Sequence, residues 1–332
     1  IKSANYWNRQ GDEMKFDAIV GNPPYQVMDG GNKASAVPVY NHFVRAAMIM
    51  NPNYISMIIP ARWYSGGRGL ESFRNAMLSD LRFQKLIDYS DSNDLFQGVD
   101  IAGGVCYFLW NEAYRGLCEV VNIHQNGKFA GLRSLDEHQI FVRYSQALSI
   151  IDKIKTKEKI FYDSRVSSQK PFGLRTYAKP TKNGELTLRY NKGSGRFPRE
   201  RVTAGIEWVD KWKVILSYLT HDHAGRSDKF GKRRIFSTLE ILPPLGVCTE
   251  TYLVIDNFLT QSEAENLMSY LKTKLVRFLV AQTATTQHIS KANFIFVPVL
   301  DFNKSWTDEK LYSKYQLDKE EIDFIESMIS EM

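Results

Sequence analysis

Residues 15–31 read KFDAIVGNPPYQVMDGG. The apolar run Phe16–Val20 predicts a short buried strand, and Gly21-Asn22-Pro23-Pro24-Tyr25 ends it at once. Consecutive prolines remove two backbone donors and fix two φ angles, so neither strand nor helix runs through them. A rigid turn at the carboxyl end of a parallel strand stands where α/β sheets place their ligands. Three groups converge there: the Asn22 side-chain oxygen, the Pro23 carbonyl freed from the strand ladder, and the flat ring of Tyr25. Two acceptors and a ring suit a planar molecule bearing an amine. Accepting hydrogen bonds from both N–H groups of a conjugated amine frees its lone pair and stabilises the positive charge that develops as it attacks an electrophile. The ring can stack on the heterocycle, worth about 1–3 kcal/mol per base.

Outward from this turn the chain alternates strands with helices. Residues 39–50 have helical apolar spacing that stops at Asn51-Pro52, and 54–60 (YISMIIP) is an apolar strand. A helix over 70–78 leads to a strand over 83–90, and 104–110 and 118–124 suggest antiparallel strands. Strand–helix–strand alternation predicts an α/β sheet with right-handed crossovers. From 125 to about 250 the composition shifts to Gly, Lys, Arg, Ser and Tyr, and short strands joined by loops are expected. Residues 259–282 predict one long helix with Thr260 and Glu263 as its capping box, and a last helix follows Asp318, which pairs with Glu321 in the same way.

The chain has 332 residues, ample for two domains, with 43% hydrophobic and 24% charged residues. Three cysteines, Cys106, Cys118 and Cys248, lie far apart, which argues against a disulfide framework or zinc site and for a reduced, cytosolic setting. No apolar run approaches the roughly 18–20 residues of a membrane span, and no signal peptide is visible. The net charge is +6, and over 151–250 Lys and Arg outnumber Asp and Glu by roughly two to one. That asymmetry suggests a half that binds a polyanion.

The stretch VGNPPYQ resembles catalytic motif IV of the S-adenosylmethionine-dependent amino-methyltransferases, with the Asn usual for adenine N6 enzymes. Two further stretches follow in the family's order. ISMIIPARW (55–63) is similar to its Pro-ended strand, and 73–109, ending in FQGVDIAGGVCYFL, resembles the segment that closes in motif VIII of TaqI-like restriction-modification methylases. The downstream stretches CTETYLVIDNF, YLKTKLVRFLVAQ and SKANFIFVPVLDF resemble the target-recognition region of such enzymes. The resemblance implies part of a Rossmann-like methyltransferase sheet over 1–125, followed by a mixed α/β target recognition domain over 126–332. It implies transfer of a methyl group from S-adenosylmethionine to the N6 amine of a flipped adenine in a specific duplex sequence. It further implies double-stranded DNA as partner, a bacterial cytoplasmic setting, and a fused or partner nuclease upstream.

Carried onto this sequence, Asn22, Pro23, Pro24 and Tyr25 are the catalytic turn, Asn22 also adjoins the cofactor, and Phe96 packs on the other face of the adenine. The family's glycine-rich cofactor loop and acidic ribose-binding residue belong upstream of this turn. They do not occur in the fourteen residues before Lys15 or after residue 110, so the chain is expected to be the catalytic and recognition part of a larger protein. Rival readings are a DNA specificity subunit without catalysis, or a glutamine or RNA methyltransferase using the same turn.

Arg62 and Arg68, around the glycine-rich stretch 64–73, are candidate phosphate contacts, as are Lys229, Arg233 and Arg234. Gln287 and His288, on a polar turn, are candidate readers of base edges. His221-Asp222-His223 lacks a second ligand cluster nearby, and no metal site is expected.

Overall fold

The computed structural model describes residues 15–27, 37–66, 69–99, 101, 103–124, 127–138, 140–221, 227–284 and 287–332. The chain divides into two compact units, residues 1–145 and 146–332. Both are mixed α and β.

In the first unit, β1 (Ala18–Gly21) leads into β2 (Gln26–Val27), β3 (Val37–Pro38) and α1 (Tyr40–Ile49). β4 (Tyr54–Pro60), α2 (Glu71–Ser79), β5 (Phe83–Tyr89), β6 (Val105–Asn111), β7 (Cys118–His124) and β8 (Gly127–Arg133) follow. The six longer strands form one sheet in the order β1-β4-β6-β5-β7-β8. β1 is parallel to β4, β6 runs antiparallel to both of its neighbours, and β5 is parallel to β7. Asn51 stops α1, taking φ 46° just beyond the last turn while its N–H donates to the Met48 carbonyl. Ile55, Ile59, Phe108 and Trp110 alternate into a core that Phe73 and Met77 of α2 complete from one face of the helix.

Two expectations change here. The first strand is not buried: β1 is the last strand of the sheet, with no partner on its outer side among the described residues, and Val20 is 79% exposed. The strands 104–110 and 118–124 run antiparallel as expected, with β5 between them. The unit also runs beyond residue 125, since β8 pairs antiparallel with β7 over its whole length.

The second unit opens with α3 (Ser145–Lys157), whose first residue closes the preceding unit. Then come β9 (Leu186–Tyr190), β10 (Gly193–Phe197), β11 (Trp212–Ser217), β12 (Leu239–Leu242), β13 (Gly246–Cys248) and β14 (Tyr252–Phe258). These make two three-stranded sheets, β10-β9-β13 and β12-β11-β14. The helices are α4 (Gln261–Lys272), α5 (Lys274–Ala281), α6 (Asp308–Tyr315) and α7 (Lys319–Met328).

The long helix expected over 259–282 is two helices. Thr273 takes extended angles, φ −58° and ψ 150°, and its hydroxyl accepts from Val276 N at the start of α5. The backbone donors exposed by the break go to the Asp308 carboxylate, which accepts from Lys274 N at 2.9 Å and Leu275 N at 3.0 Å. Both expected capping boxes are present, Thr260 with Glu263 and Asp318 with Glu321.

Candidate active site

Asn22, Pro23, Pro24, Tyr25 and Gln26 line a cleft of about 430 Å³ together with Phe96, Val99 and Ile101, within the usual size of a small-molecule site. The turn is held from its far side. The Tyr25 carbonyl accepts from Val39 N at 3.2 Å, and β2 pairs antiparallel with β3. Pro23 is buried while Asn22 and Pro24 are exposed. Neither the Asn22 amide nor the Pro23 carbonyl has a hydrogen-bond partner among the described residues, and both residues line the cleft. Burial of the Tyr25 phenol, and next its proximity to Cys106, push its pKa up, so the ring stays neutral.

Phe96, Val99 and Ile101 enter the lining from the stretch between β5 and β6, and one hydroxyl organises its described residues. Ser92 Oγ donates to the Val99 carbonyl at 2.6 Å and accepts from Ile101 N at 2.9 Å. Phe96 N donates to the Ser92 carbonyl at 2.7 Å, and Asp91 accepts from Asn93 N at 2.9 Å. The loop then turns into β6 at Gly104, where φ is 79° and an added Cβ would lie 2.0 Å from the Tyr89 carbonyl oxygen. Only glycine fits that approach.

At the end of β5 lies an ion pair that the sequence reading missed. Asp88 is wholly buried, and Arg143 Nε and Nη2 donate to it at 2.6 and 2.8 Å. Tyr64 and Asn122 supply two more donors, each at 3.1 Å. Burial alone would lower the pKa of Arg143, but the charge of Asp88 and its hydrogen bonds push it up. An aspartate inside the apolar strand FQKLIDY was the available signal; its partner lies in a segment without regular structure.

The other expected residues are dispersed. Arg62 is half-buried in the short 3₁₀ turn Ala61–Tyr64, where its charge acts on the Tyr40 phenol. Arg68 lies outside the described residues. Lys229 is exposed, its ammonium 4.9 Å from the centre of the exposed Phe230 ring. Arg233 is only 7% exposed, its backbone bonded to Met328 and Ser330, so this residue corrects the expectation of a surface cation there. Arg234 is half-buried, and its carbonyl accepts from Arg277. Gln287 and His288 are exposed beside the end of β11 and are brought together with it. The Gln287 carbonyl accepts from Thr220 N at 2.9 Å, and the His288 ring centre lies 4.6 Å from that of Tyr218. Among the described residues no cluster of three or more metal-ligating side chains occurs. No described helix is long and apolar enough to cross a membrane.

Comparison with known proteins finds likeness to restriction-modification methylases over part of the chain. Residues 1–96, which include the Asn-Pro-Pro-Tyr turn and Phe96, match the family described as Eco57I restriction-modification methylase. A curated relative from Mycoplasma pneumoniae, described as an uncharacterized adenine-specific methylase, is 37% identical over 117 residues. That alignment takes in 34% of this chain and 27% of the relative, so the chain spans about a quarter of the relative's length. Among solved structures, the type IIL restriction-modification enzyme MmeI in complex with DNA aligns with a TM-score of 0.48 and 11% identity, over 87% of this chain and 47% of that one. The type I methyltransferase subunit from Streptococcus thermophilus aligns at 0.27 and 15%, over 46% of this chain and 34% of that one. Likenesses this distant carry no residue-level argument.

Proposed function

We propose that the protein containing this chain transfers a methyl group from S-adenosylmethionine to the N6 amine of a flipped adenine in a specific double-stranded DNA sequence, within a restriction-modification system. The observation that carries this reading is the meeting of the turn and Phe96 in one cleft. In this reading the Asn22 oxygen and the Pro23 carbonyl each accept an N–H of the amine. Their dipoles stabilise the positive charge that grows on nitrogen as it attacks. Tyr25 and Phe96 supply aromatic faces for a base taken out of the duplex, which offsets part of the few kcal/mol of unstacking.

Among the described residues of the lining, none carries a carboxylate or an imidazole. In this reading the reaction is driven by charge stabilisation at the amine rather than by a strong general base. When bound, S-adenosylmethionine supplies the electrophilic methyl group. Among the described residues the cleft offers no acidic side chain for the cofactor's ribose hydroxyls and no glycine turn for its backbone contacts. The cleft thus fits the amine side of the reaction, and the described residues do not fit the cofactor.

The test is methylation of DNA by the full-length protein with methyl-labelled cofactor, followed by digestion to nucleosides. The label is expected in N6-methyldeoxyadenosine; label in a cytosine, in RNA or in a protein side chain would contradict the reading.

A further inference from the structure

A second cleft, of about 390 Å³, lies wholly within the second unit and is lined by Lys170, Arg175, Thr176, Tyr218, Glu250 and Thr251, among others. Arg165, Arg189 and Arg199 are each held by a carboxylate, Asp256, Glu240, and Glu185 with Asp210 respectively. The Arg175 guanidinium and the Lys170 ammonium have no ion-pair or hydrogen-bond partner among the described residues. Lys170, with φ 67°, opens a turn in which Gly173 N donates to its carbonyl at 2.9 Å, and Arg175 opens another in which Ala178 N donates to its carbonyl at 2.9 Å.

Opposite charge is present in the same cleft and is fixed in place. Glu250 Oε1 accepts from Thr176 N at 3.0 Å, and Glu250 N donates to the Leu174 carbonyl at 2.8 Å, so the carboxylate is tied to the turn that carries Arg175. Its other oxygen takes no hydrogen bond from the described residues. The Tyr218 ring forms a wall braced by His288.

A phosphate site would not place a carboxylate beside its cations. An unpaired guanidinium next to an anchored carboxylate instead complements the major-groove edge of one base pair, with guanine O6 and N7 accepting from arginine and cytosine N4 donating to glutamate. We propose that this cleft reads a G·C pair of the target sequence, Arg175 facing the guanine and Glu250 the cytosine. Lys170 adds positive potential toward the flanking backbone. This inference rests on the DNA-methylating function proposed above and deepens it by naming where sequence is read.

The experiment compares wild-type full-length protein with Arg175→Ala, Arg175→Lys and Glu250→Gln on a substrate library with randomised positions, and sequences the methylated products. Wild type is expected to require a G·C pair at one or more positions. Arg175→Ala and Glu250→Gln should relax discrimination at one and the same pair by about tenfold to a hundredfold, with Arg175→Lys intermediate and the other positions unchanged. A variant consensus identical to wild type, or uniformly weaker methylation of every sequence with a shallower salt dependence, overturns the inference and leaves the function standing. A wild-type consensus without any G·C pair also overturns it. Absence of DNA methylation by wild type overturns the function and this inference together.

Discussion

The Ser92 hydroxyl, 1% exposed, spans its own loop to donate to the Val99 carbonyl at 2.6 Å, and the same oxygen accepts from Ile101 N at 2.9 Å. Val99 and Ile101 line the cleft, and Phe96 N is bonded to the Ser92 backbone. Ser92→Ala should therefore loosen the wall without touching any reacting atom. The loss removes the hydroxyl partner of both the Val99 carbonyl and the Ile101 N–H, a cost of about 0.5–1.5 kcal/mol for each partly buried bond. Faster hydrogen exchange at the Ile101 amide is the expected reading, and unchanged protection there would show that the serine does not hold the loop.

Tyr25 and Phe96 both line the cleft. Replacing either by Ala should weaken capture of an extrahelical base by roughly 1–3 kcal/mol. With 2-aminopurine at the target position, the fluorescence rise on binding should fall in both variants. A full signal in both would remove stacking from the account.

Asp88 receives four donors from three side chains, and Arg143 is held by the same carboxylate. Asp88→Ala leaves a buried guanidinium without its counter-charge, for which about 3–5 kcal/mol of destabilisation is expected. Denaturant unfolding of the full-length protein should show the loss in the transition that reports the first unit. A change of less than about 1 kcal/mol would mean that the pair adds little beyond its own desolvation.

Lys213 is fully buried on β11, and its ammonium donates to the Val209 and Pro243 carbonyls at 2.8 and 3.2 Å. Burial lowers its pKa to about 8 from an ordinary value of 10.5. Between those values the unfolded chain binds more protons than the folded one, so stability rises with pH through this window. The contribution is fully present above the unfolded value and is lost as pH falls through about 8. Measured as the difference in Tm between wild type and Lys213→Met, wild type should gain on the variant from pH 8 to pH 10. A difference independent of pH would show that Lys213 titrates normally in the fold.

The turn was legible because its chemistry is local: prolines, an amide and a ring in sequence, ending a strand, need no partner to be read. Phe96 joins it in the cleft. What the sequence did not show depends on distant pairing. Asp88 finds Arg143 across 55 positions, and nothing in either neighbourhood names the other. Among the described residues β1 is the end strand of the sheet, which leaves Val20 exposed, and strand order is not written in a strand's composition. Thr273 hid the break between α4 and α5 because the apolar spacing continues on both sides of it; the competing signal was a capping residue whose new helix terminus is completed by Asp308, far along the chain. Arg233 looked like its basic neighbours until the backbone bonds to Met328 and Ser330 placed it inside.

In the proposed reaction Asn22 and the Pro23 carbonyl accept the hydrogens of the reacting amine. Single-turnover methyl transfer by the full-length protein carrying Asn22→Ala, run beside an equilibrium DNA-binding measurement, tests it most directly. The account predicts a fall in the transfer rate on the order of 10²-fold or more with DNA affinity largely retained. Transfer at a near-normal rate would contradict it.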